Sequence, residues 1–217
     1  MPACGLMRDM IDTEITLERF ETPFLHHLGD GVIPAADIAE LNATVPDRSL
    51  YRREIKSGSQ HRKEYRMWRC EVAAEGTRNA TADKLPAAWS KLVDSVLAAD
   101  FRGWLSSNTG VDVTSSRMTV GLYVLEDGDF TTTDYGKTEK LLTSALYLNE
   151  SWRPEYGGNY QLFTHKSPDL APAKEIAPVG GRCTAMTPTE TSWHRIQTVT
   201  TGGAVDRMMM MLEFWRS

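Results

Sequence analysis

The sequence is short of cysteine, and the cysteines that it has form no recognisable framework. Only Cys4, Cys70 and Cys183 occur among the 217 residues, and no two of them stand in a CxxC arrangement. An odd number of widely separated cysteines predicts neither a disulfide scaffold nor a zinc site built from thiolates. This pattern is typical of a reducing compartment, so we expect a cytoplasmic protein.

Long apolar runs and an excess of positive charge are also missing. No stretch approaches the roughly 18 apolar residues of a membrane span, and the opening MPACGLMRDMIDTE has no basic segment followed by an apolar one. Lys and Arg number 24 against 29 Asp and Glu, a net charge of -5. An acidic chain is a poor match for nucleic acid or an anionic membrane. We expect a small-molecule substrate, with a second copy of the chain or a partner subunit as a further candidate.

Internal repeats and low-complexity linkers are absent as well, which favours one domain over residues 1–217. Within it, residues 1–115 are expected to be helical and irregular, forming a support and a lid, and residues 116–217 to form a β core. Helical spacing of apolar residues predicts a short helix over 34–46 and a longer one over 85–110.

The segment YRREIKSGSQHRKEYRMWRC, residues 51–70, combines many cations with aromatic residues. That combination occurs in strips that bind nucleic acid. An acidic chain favours the alternative, in which the aromatic side chains enter the core and the charges face water. If the segment has a function, we expect it to be a lid that contacts an anionic or polar substrate.

From Ser116 onward, short runs rich in β-branched and aromatic residues alternate with separators such as EDGD, PEYGG and TTGGAVD. The predicted strands are 117–125, 141–149, 159–165, 174–179, 181–188, 193–199 and 207–216. Seven or eight strands at this spacing predict an all-β core with α additions, a jelly-roll or double-stranded β-helix with the helices packed on one sheet.

Three polar residues stand beside these strands: Asp134, His194 and Arg207. Singly, each is weak evidence for a site, since an Asp is most often a turn former and a strand-edge Arg is usually solvated. Their order, and the sequence segments around them, resemble those of the iron(II)- and 2-oxoglutarate-dependent oxygenases, in particular the prolyl-4-hydroxylase-like branch. The matching segments are GLYVLEDGDFTTTDYGKTEKLLTSALYLNESWRPEYGGNYQLF, IAPVGGRCTAMTPTETSWHRIQTV and RMMMMLEFW.

The resemblance implies an enzyme of this kind, with Fe(II) and 2-oxoglutarate as cofactors. In that family two histidines and a carboxylate bind the iron and leave three positions for 2-oxoglutarate and dioxygen. Carried over by position, Asp134 and His194 would be metal ligands and catalytic residues. Arg207 would bind the far carboxylate of 2-oxoglutarate as a bidentate cation, and Tyr123 matches a position that often hydrogen-bonds the same group.

Thr132 departs from the family pattern. The metal loop of the family reads His-x-Asp, and with Asp134 as its carboxylate the histidine falls at position 132. A threonine hydroxyl is a poor ligand for ferrous iron beside an imidazole. His165, His26, His27 or His61 are alternative sources of an imidazole, and a water held by Thr132 is another way to fill the place.

Three hypotheses follow. The protein is an oxygenase with a modified iron site that oxidises a small metabolite or an amino-acid-derived substrate; or it is a non-catalytic or partner-supported pseudo-oxygenase; or it catalyses a metal-independent, non-redox reaction in the same pocket. Residues 51–70 and 150–158 are expected to select the substrate.

Overall fold

The computed structural model describes residues 9–57, 63–166 and 171–216. Its helices are α1 (Ala35–Ala43), α2 (Ala87–Leu97) and α3 (Ala99–Thr109), with single 3-10 turns at Arg48–Leu50, Ala82–Lys84 and Pro154–Tyr156. Its strands are β1 (Glu18–Phe20), β2 (His26–Gly29), β3 (Arg52–Lys56), β4 (Tyr65–Ala74), β5 (Thr77–Arg78), β6 (Arg117–Leu125), β7 (Phe130–Thr131), β8 (Lys140–Tyr147), β9 (Tyr160–Leu162), β10 (Lys174–Ile176), β11 (Cys183–Met186), β12 (His194–Ile196) and β13 (Arg207–Trp215).

The strands form a large antiparallel sheet facing a small one. The large sheet has the order β1-β2-β11-β8-β13-β6-β4-β3, and the small sheet the order β10-β9-β12. Every strand predicted from residue 117 onward overlaps an observed strand. The predicted jelly-roll class is therefore confirmed.

Strand β13 shows how one sequence serves the two faces of the large sheet. Met208, Met210, Leu212 and Phe214 belong to the core beneath the helices. The alternate residues Arg207, Met209, Met211, Glu213 and Trp215 line a cavity on the other face. Because side chains alternate across a strand, this strand separates the helix-side core from the space between the two sheets.

The expectation that the first 115 residues are helical and irregular is wrong for much of that region. Strands β1 to β4 extend the large sheet at both of its edges, and the ten residues of β4 pair with β6 along most of their length. Residues 51–57 and 63–70 form the β3–β4 hairpin, in which Tyr65 and Met67 face the cavity. Residues 58–62, which include His61, lie outside the described residues.

The helix predicted over 34–46 is α1, but the helix predicted over 85–110 is two helices. At Ala98 the backbone is extended, with φ -63° and ψ 150°, between α2 and α3. A straight helix of 26 residues would run for about 39 Å, whereas the nine-residue strands beneath it run for about 30 Å. The break lets Trp89 and Phe101 both reach the same core.

Two further expectations concern thiols and the membrane. Cys70 and Cys183 are buried free thiols, as the cysteine pattern predicts, and Cys4 lies outside the described residues. Across residues 9–57, 63–166 and 171–216, none of the helices is long and apolar enough to cross a bilayer.

Candidate active site

A cavity of about 390 Å³ lies between the inner face of the large sheet and the small sheet. Asp134, His194 and Arg207, the three residues singled out by order and spacing, all line it, and so does Tyr123. The structure thus brings to one place four residues that are separated by up to 84 positions in the chain, between Tyr123 and Arg207. The lining also includes apolar side chains such as Met209, which exclude water from the walls.

Asp134 and His194 face each other across an isolated antiparallel bridge. The backbone N–H of Asp134 donates to the carbonyl of His194 at 2.9 Å, and the N–H of His194 donates to the carbonyl of Asp134 at 2.8 Å. Residues directly opposite in an antiparallel pair project their side chains to the same side. The carboxylate and the imidazole therefore reach the cavity as neighbours.

The ring of His194 is held in one tautomer. Its Nδ1 lies 2.7 Å from the carbonyl oxygen of Ser192; a carbonyl only accepts, so we assign the proton to Nδ1, which leaves the lone pair of Nε2 free. Burial, and then the nearby positive charge of Lys63, lower the pKa of His194 to about 4. The imidazole is neutral at pH 7, which is the form that binds metals.

Thr132 does not line the cavity. Its hydroxyl accepts a hydrogen bond from the backbone N–H of Glu64 at 2.8 Å and donates to the Glu64 carbonyl at 3.3 Å. The neighbouring Thr131 lines the cavity instead, and its Oγ1 accepts the N–H of Ile196 at 2.8 Å. Thr132 thus fixes the loop to the residue that precedes β4, and within the run 131–134 the cavity-facing positions are 131 and 134.

These residues fit a metal ion only in part. Within the ranges that the structure describes, no group of three His, Cys, Asp or Glu side chains is arranged to hold one. Of the alternative histidines, His165 is exposed and away from the cavity, while His26 lines it with Nδ1 at 2.8 Å from the Phe24 carbonyl. Asp134 and His194 supply two ligands, and the described residues offer no third.

Arg207 fits a carboxylate well. Its side chain is completely buried, with Nε donating to the Gly158 carbonyl at 2.7 Å and Nη1 3.1 Å from the sulfur of Met209. Its Nη2 is buried and has no hydrogen-bond partner. No carboxylate in the described part of the chain pairs with it, and burial lowers its pKa. A buried guanidinium in this state is a strong candidate to bind an anion, because a lone buried charge is costly.

Tyr147 is the aromatic residue at this guanidinium, and the sequence did not single it out. The carbon centre of the Arg207 guanidinium lies 5.3 Å from the centre of the Tyr147 ring. Tyr147 is buried and lines the cavity, and it pairs across β8 and β13 with Met209, two residues from Arg207. Its place in ALYLN, opposite the start of the strand that carries Arg207, is the signal that could have identified it.

Gly158 holds Arg207 in place. It has a φ of +66°, and a Cβ there would lie 3.1 Å from Cδ of Arg207 and 3.1 Å from the Trp152 ring. Its carbonyl is the acceptor for Nε of Arg207. A residue with a side chain at this position would both strain the backbone and displace the guanidinium.

Tyr123 extends from β6 in another direction. A Cβ on Gly121 would lie only 2.8 Å from Cε2 of the Tyr123 ring, so the ring occupies the space that a side chain at Gly121 would need. Its hydroxyl interacts with the guanidinium of Arg69, and burial, followed by the charge of Glu213, raises its pKa. The role predicted for Tyr123 beside Arg207 stays a prediction, and the contacts seen here are with Arg69.

Charged side chains that sequence reasoning missed also line the cavity. Lys140 and Glu213, both largely buried, form an ion pair, and Arg69 and Glu54 approach within 3.9 Å. Each lies on a strand at a cavity-facing position. For Lys140 and Glu213, a charge in a mostly apolar strand is the signal that could have found them, whereas Glu54 and Arg69 stand among other charged residues.

The family model described as the 2OG-Fe(II) oxygenase superfamily matches residues 115–215. No match to this sequence was found among curated proteins. A prolyl-4-hydroxylase from Pseudomonas putida is similar in structure, with a TM-score of 0.55, 15% identity, and coverage of 88% of this chain and 92% of that one.

Two further structures have the same fold. An oxidoreductase of the 2OG-Fe(II) oxygenase family from Burkholderia pseudomallei has a TM-score of 0.55 at 14% identity, over 84% of this chain and 78% of that one. A prolyl hydroxylase from Trichoplax adhaerens, solved with a peptide fragment of the hypoxia inducible factor oxygen degradation domain, has a TM-score of 0.50 at 12% identity, over 83% and 75%. Residues 115–215 therefore match the model of the 2OG-Fe(II) oxygenase superfamily, and the fold of the chain agrees with that match.

Proposed function

We propose that the protein is an Fe(II)- and 2-oxoglutarate-dependent oxygenase that hydroxylates, or otherwise oxidises, a small metabolite or an amino-acid-derived molecule. The observation that carries this proposal is the unpartnered Nη2 of Arg207, which is buried in the cavity that Asp134 and His194, neighbours through their backbone bridge, also line. The cavity thus offers a cation for a carboxylate and two ligands for a metal.

Each residue has a defined task in this proposal. Nε2 of His194 and the carboxylate of Asp134 would hold the iron, and Arg207 would hold the far carboxylate of 2-oxoglutarate. When bound, iron and 2-oxoglutarate supply the oxidising power for attack on a C–H bond. The Ser192 carbonyl keeps Nε2 of His194 unprotonated, as an orienting partner of a metal-ligating histidine does.

The size of the cavity supports a small substrate. Pockets for small molecules span roughly 300–1,000 Å³, and this cavity, at about 390 Å³, is near the lower end. It also has to accommodate 2-oxoglutarate. The remaining space suits a molecule of about the size of an amino acid.

A second candidate function is that of a pseudo-oxygenase, or of a metal-independent enzyme in the same pocket. The observation that favours it is Thr132, whose hydroxyl is engaged by the Glu64 backbone and which does not line the cavity. Under this second function, the loop that carries Thr132 has a structural role and does not supply a third metal ligand.

Anaerobic titration with Fe(II) and 2-oxoglutarate tests the proposal. We expect the visible charge-transfer absorption of a chelated ferrous complex in the wild type, no band in Arg207→Met, and an unchanged band in Arg195→Met. Arg195 is the matched control, since it lies on β12 beside His194 but donates to Gln161 and does not line the cavity. No band and no succinate from the wild type would contradict the proposal.

Thr132→His separates the two candidates. Histidine at position 132 lacks the hydroxyl that holds this residue to Glu64. If the site binds iron with two protein ligands, the new imidazole should turn to the metal as a third ligand and raise Fe(II) affinity. A protein that gains no affinity, and whose turnover persists in excess chelator or is absent altogether, would support the second candidate.

A further inference from the structure

Arg69 is a second guanidinium on the inner face of the large sheet. It lies on β4, opposite Tyr123 of β6, which in turn lies opposite Met209 of β13. Two strand spacings of about 4.8 Å separate β4 from the strand of Arg207. The cavity therefore has two arginine side chains in different parts of its wall, and the proposed function uses one of them.

The hydrogen-bonding capacity of Arg69 is not filled. Its Nη2 donates to Glu71 at 2.8 Å, towards the outside, and its Nη1 lies 3.9 Å from Glu54. Its Nε is buried and has no partner. A guanidinium has its N–H groups in a fixed planar fork, so a buried N–H without a partner points to a missing acceptor.

Tyr123 supplies a second donor at the same place. Because Gly121 has no side chain, the Tyr123 ring lies over it and brings the hydroxyl to the Arg69 guanidinium. The pKa of Tyr123 is raised by burial and by Glu213, so the hydroxyl keeps its proton. A hydroxyl and a guanidinium side by side are the donors that hold a carboxylate.

The charge of the cavity wall favours an anion. Of the described residues that line it, five are cationic: Lys63, Arg69, Lys137, Lys140 and Arg207. Three are acidic: Glu54, Asp134 and Glu213. Lys140 and Glu213 pair with each other, and the positive excess persists when iron and the dianion 2-oxoglutarate are both added.

We infer that Arg69, together with the hydroxyl of Tyr123, binds a carboxylate of the substrate, which makes the substrate a small carboxylic acid. This inference rests on the proposed function and specifies its substrate class. Free α-amino acids and simple carboxylic acids both carry this carboxylate. If the substrate is an amino acid, the Glu54 carboxylate beside Arg69 is the group that would bind its ammonium.

The experiment is a thermal-shift panel on the wild type loaded with Mn(II) and 2-oxoglutarate. The probes are the L-amino acids, the corresponding primary amides, which lack the carboxylate, and the corresponding carboxylic acids, which lack the amino group. We expect the compounds that raise Tm to be carboxylates, and each to bind at least about ten-fold more tightly than its amide, the effect of one charge-assisted hydrogen bond. Tighter binding of the amino acid than of its des-amino acid would assign a role to the ammonium group.

Arg69→Met should remove the preference for carboxylate over amide, and Arg66→Met should keep it. Arg66 is the matched control because it lies on the same strand with its side chain exposed on the other face. A wild type that is stabilised by no carboxylate, or equally by acids and amides, would overturn the inference, as would an Arg69→Met protein that keeps the preference.

The two proposals fail in different ways. If the wild type does not bind 2-oxoglutarate but Arg69→Met still abolishes carboxylate binding in the metal-free protein, the oxygenase proposal is wrong and the carboxylate site stands. If 2-oxoglutarate binds and the acids and amides are equal, the carboxylate site is wrong and the oxygenase proposal stands.

Discussion

The backbones of Asp134 and His194 exchange two hydrogen bonds, of 2.9 Å and 2.8 Å, and so place a carboxylate and a neutral imidazole side by side. Because these bonds use no side-chain atoms, Asp134→Asn and His194→Gln should fold. Each should lose more than about 100-fold in affinity for Mn(II), since loss of a direct ligand exceeds the 10 to 100-fold of an indirect one. Calorimetric titration measures this, with exposed His165→Gln as the control, and an unaltered affinity in either variant would remove that residue from the metal site.

Gly158→Ala should weaken 2-oxoglutarate binding as well as the fold. A positive φ of +66° costs a residue with a Cβ about 1–2 kcal/mol, and the new methyl group would also lie 3.1 Å from Cδ of Arg207. Gly202→Ala is the matched control, with a φ of +63° and nothing within 4 Å of the added Cβ. Urea unfolding should show a loss in both, and 2-oxoglutarate titration a loss only in Gly158→Ala; equal binding by the two would show that Gly158 does not position the guanidinium.

Thr132→Val tests whether this residue is structural. It removes the hydroxyl that accepts the N–H of Glu64 at 2.8 Å, and we expect the unfolding free energy to fall by about 1 kcal/mol. Exposed Thr138→Val should change it by less than about 0.5 kcal/mol. Metal affinity should be the same in all three proteins, and a loss confined to Thr132→Val would mean that the hydroxyl, or a water on it, contributes to the metal site.

Acid should destabilise the fold through its buried histidines. Burial lowers the pKa of His26 and of His27 from the ordinary 6.5, with nearby positive charges adding to the effect. The unfolded chain then takes up protons at a higher pH than the folded chain does. These histidines therefore do not reduce the unfolding free energy well above about pH 6.5, and they reduce it progressively as the pH drops below that value. Urea unfolding at several pH values should show this fall, and His27→Leu should make it shallower; parallel curves would contradict the assignment.

The strands of the second half of the fold are predictable because their two faces carry different types of residue. In β13, apolar residues facing the helices alternate with residues facing the cavity, and glycine-rich turns separate the neighbouring strands. In β4 this contrast is missing, since the cavity side carries both Met67 and Arg69 and the opposite side carries both Arg66 and Trp68. The helix break at Ala98 has no glycine or proline beside it that would predict it, and it depends on packing over the sheet.

The site was predictable where the order of polar residues and the segments around them resemble a known family. Asp134, His194 and Arg207 were found in this way, and the structure brings all three to one cavity. Tyr147 and Arg69 were not, because a tyrosine in a buried strand and an arginine in a cationic segment are unremarkable until the strands are paired. The register of β8 against β13 places Tyr147 on the cavity side, and the register of β4 against β6 does so for Arg69.

The small sheet that carries His194 has strands of only three residues. Its bonds to the rest of the barrel include the bridge to Asp134, the Thr131 hydroxyl that accepts the N–H of Ile196, and the Tyr160 hydroxyl that reaches the sulfur of Met186. Short strands with few long-range bonds can open while the helix-covered core stays intact. A metal ion held between Asp134 and His194 would crosslink the small sheet to the loop that carries Asp134. Its binding would then slow hydrogen exchange in β9 and β12 while leaving β6 and β13 as they are.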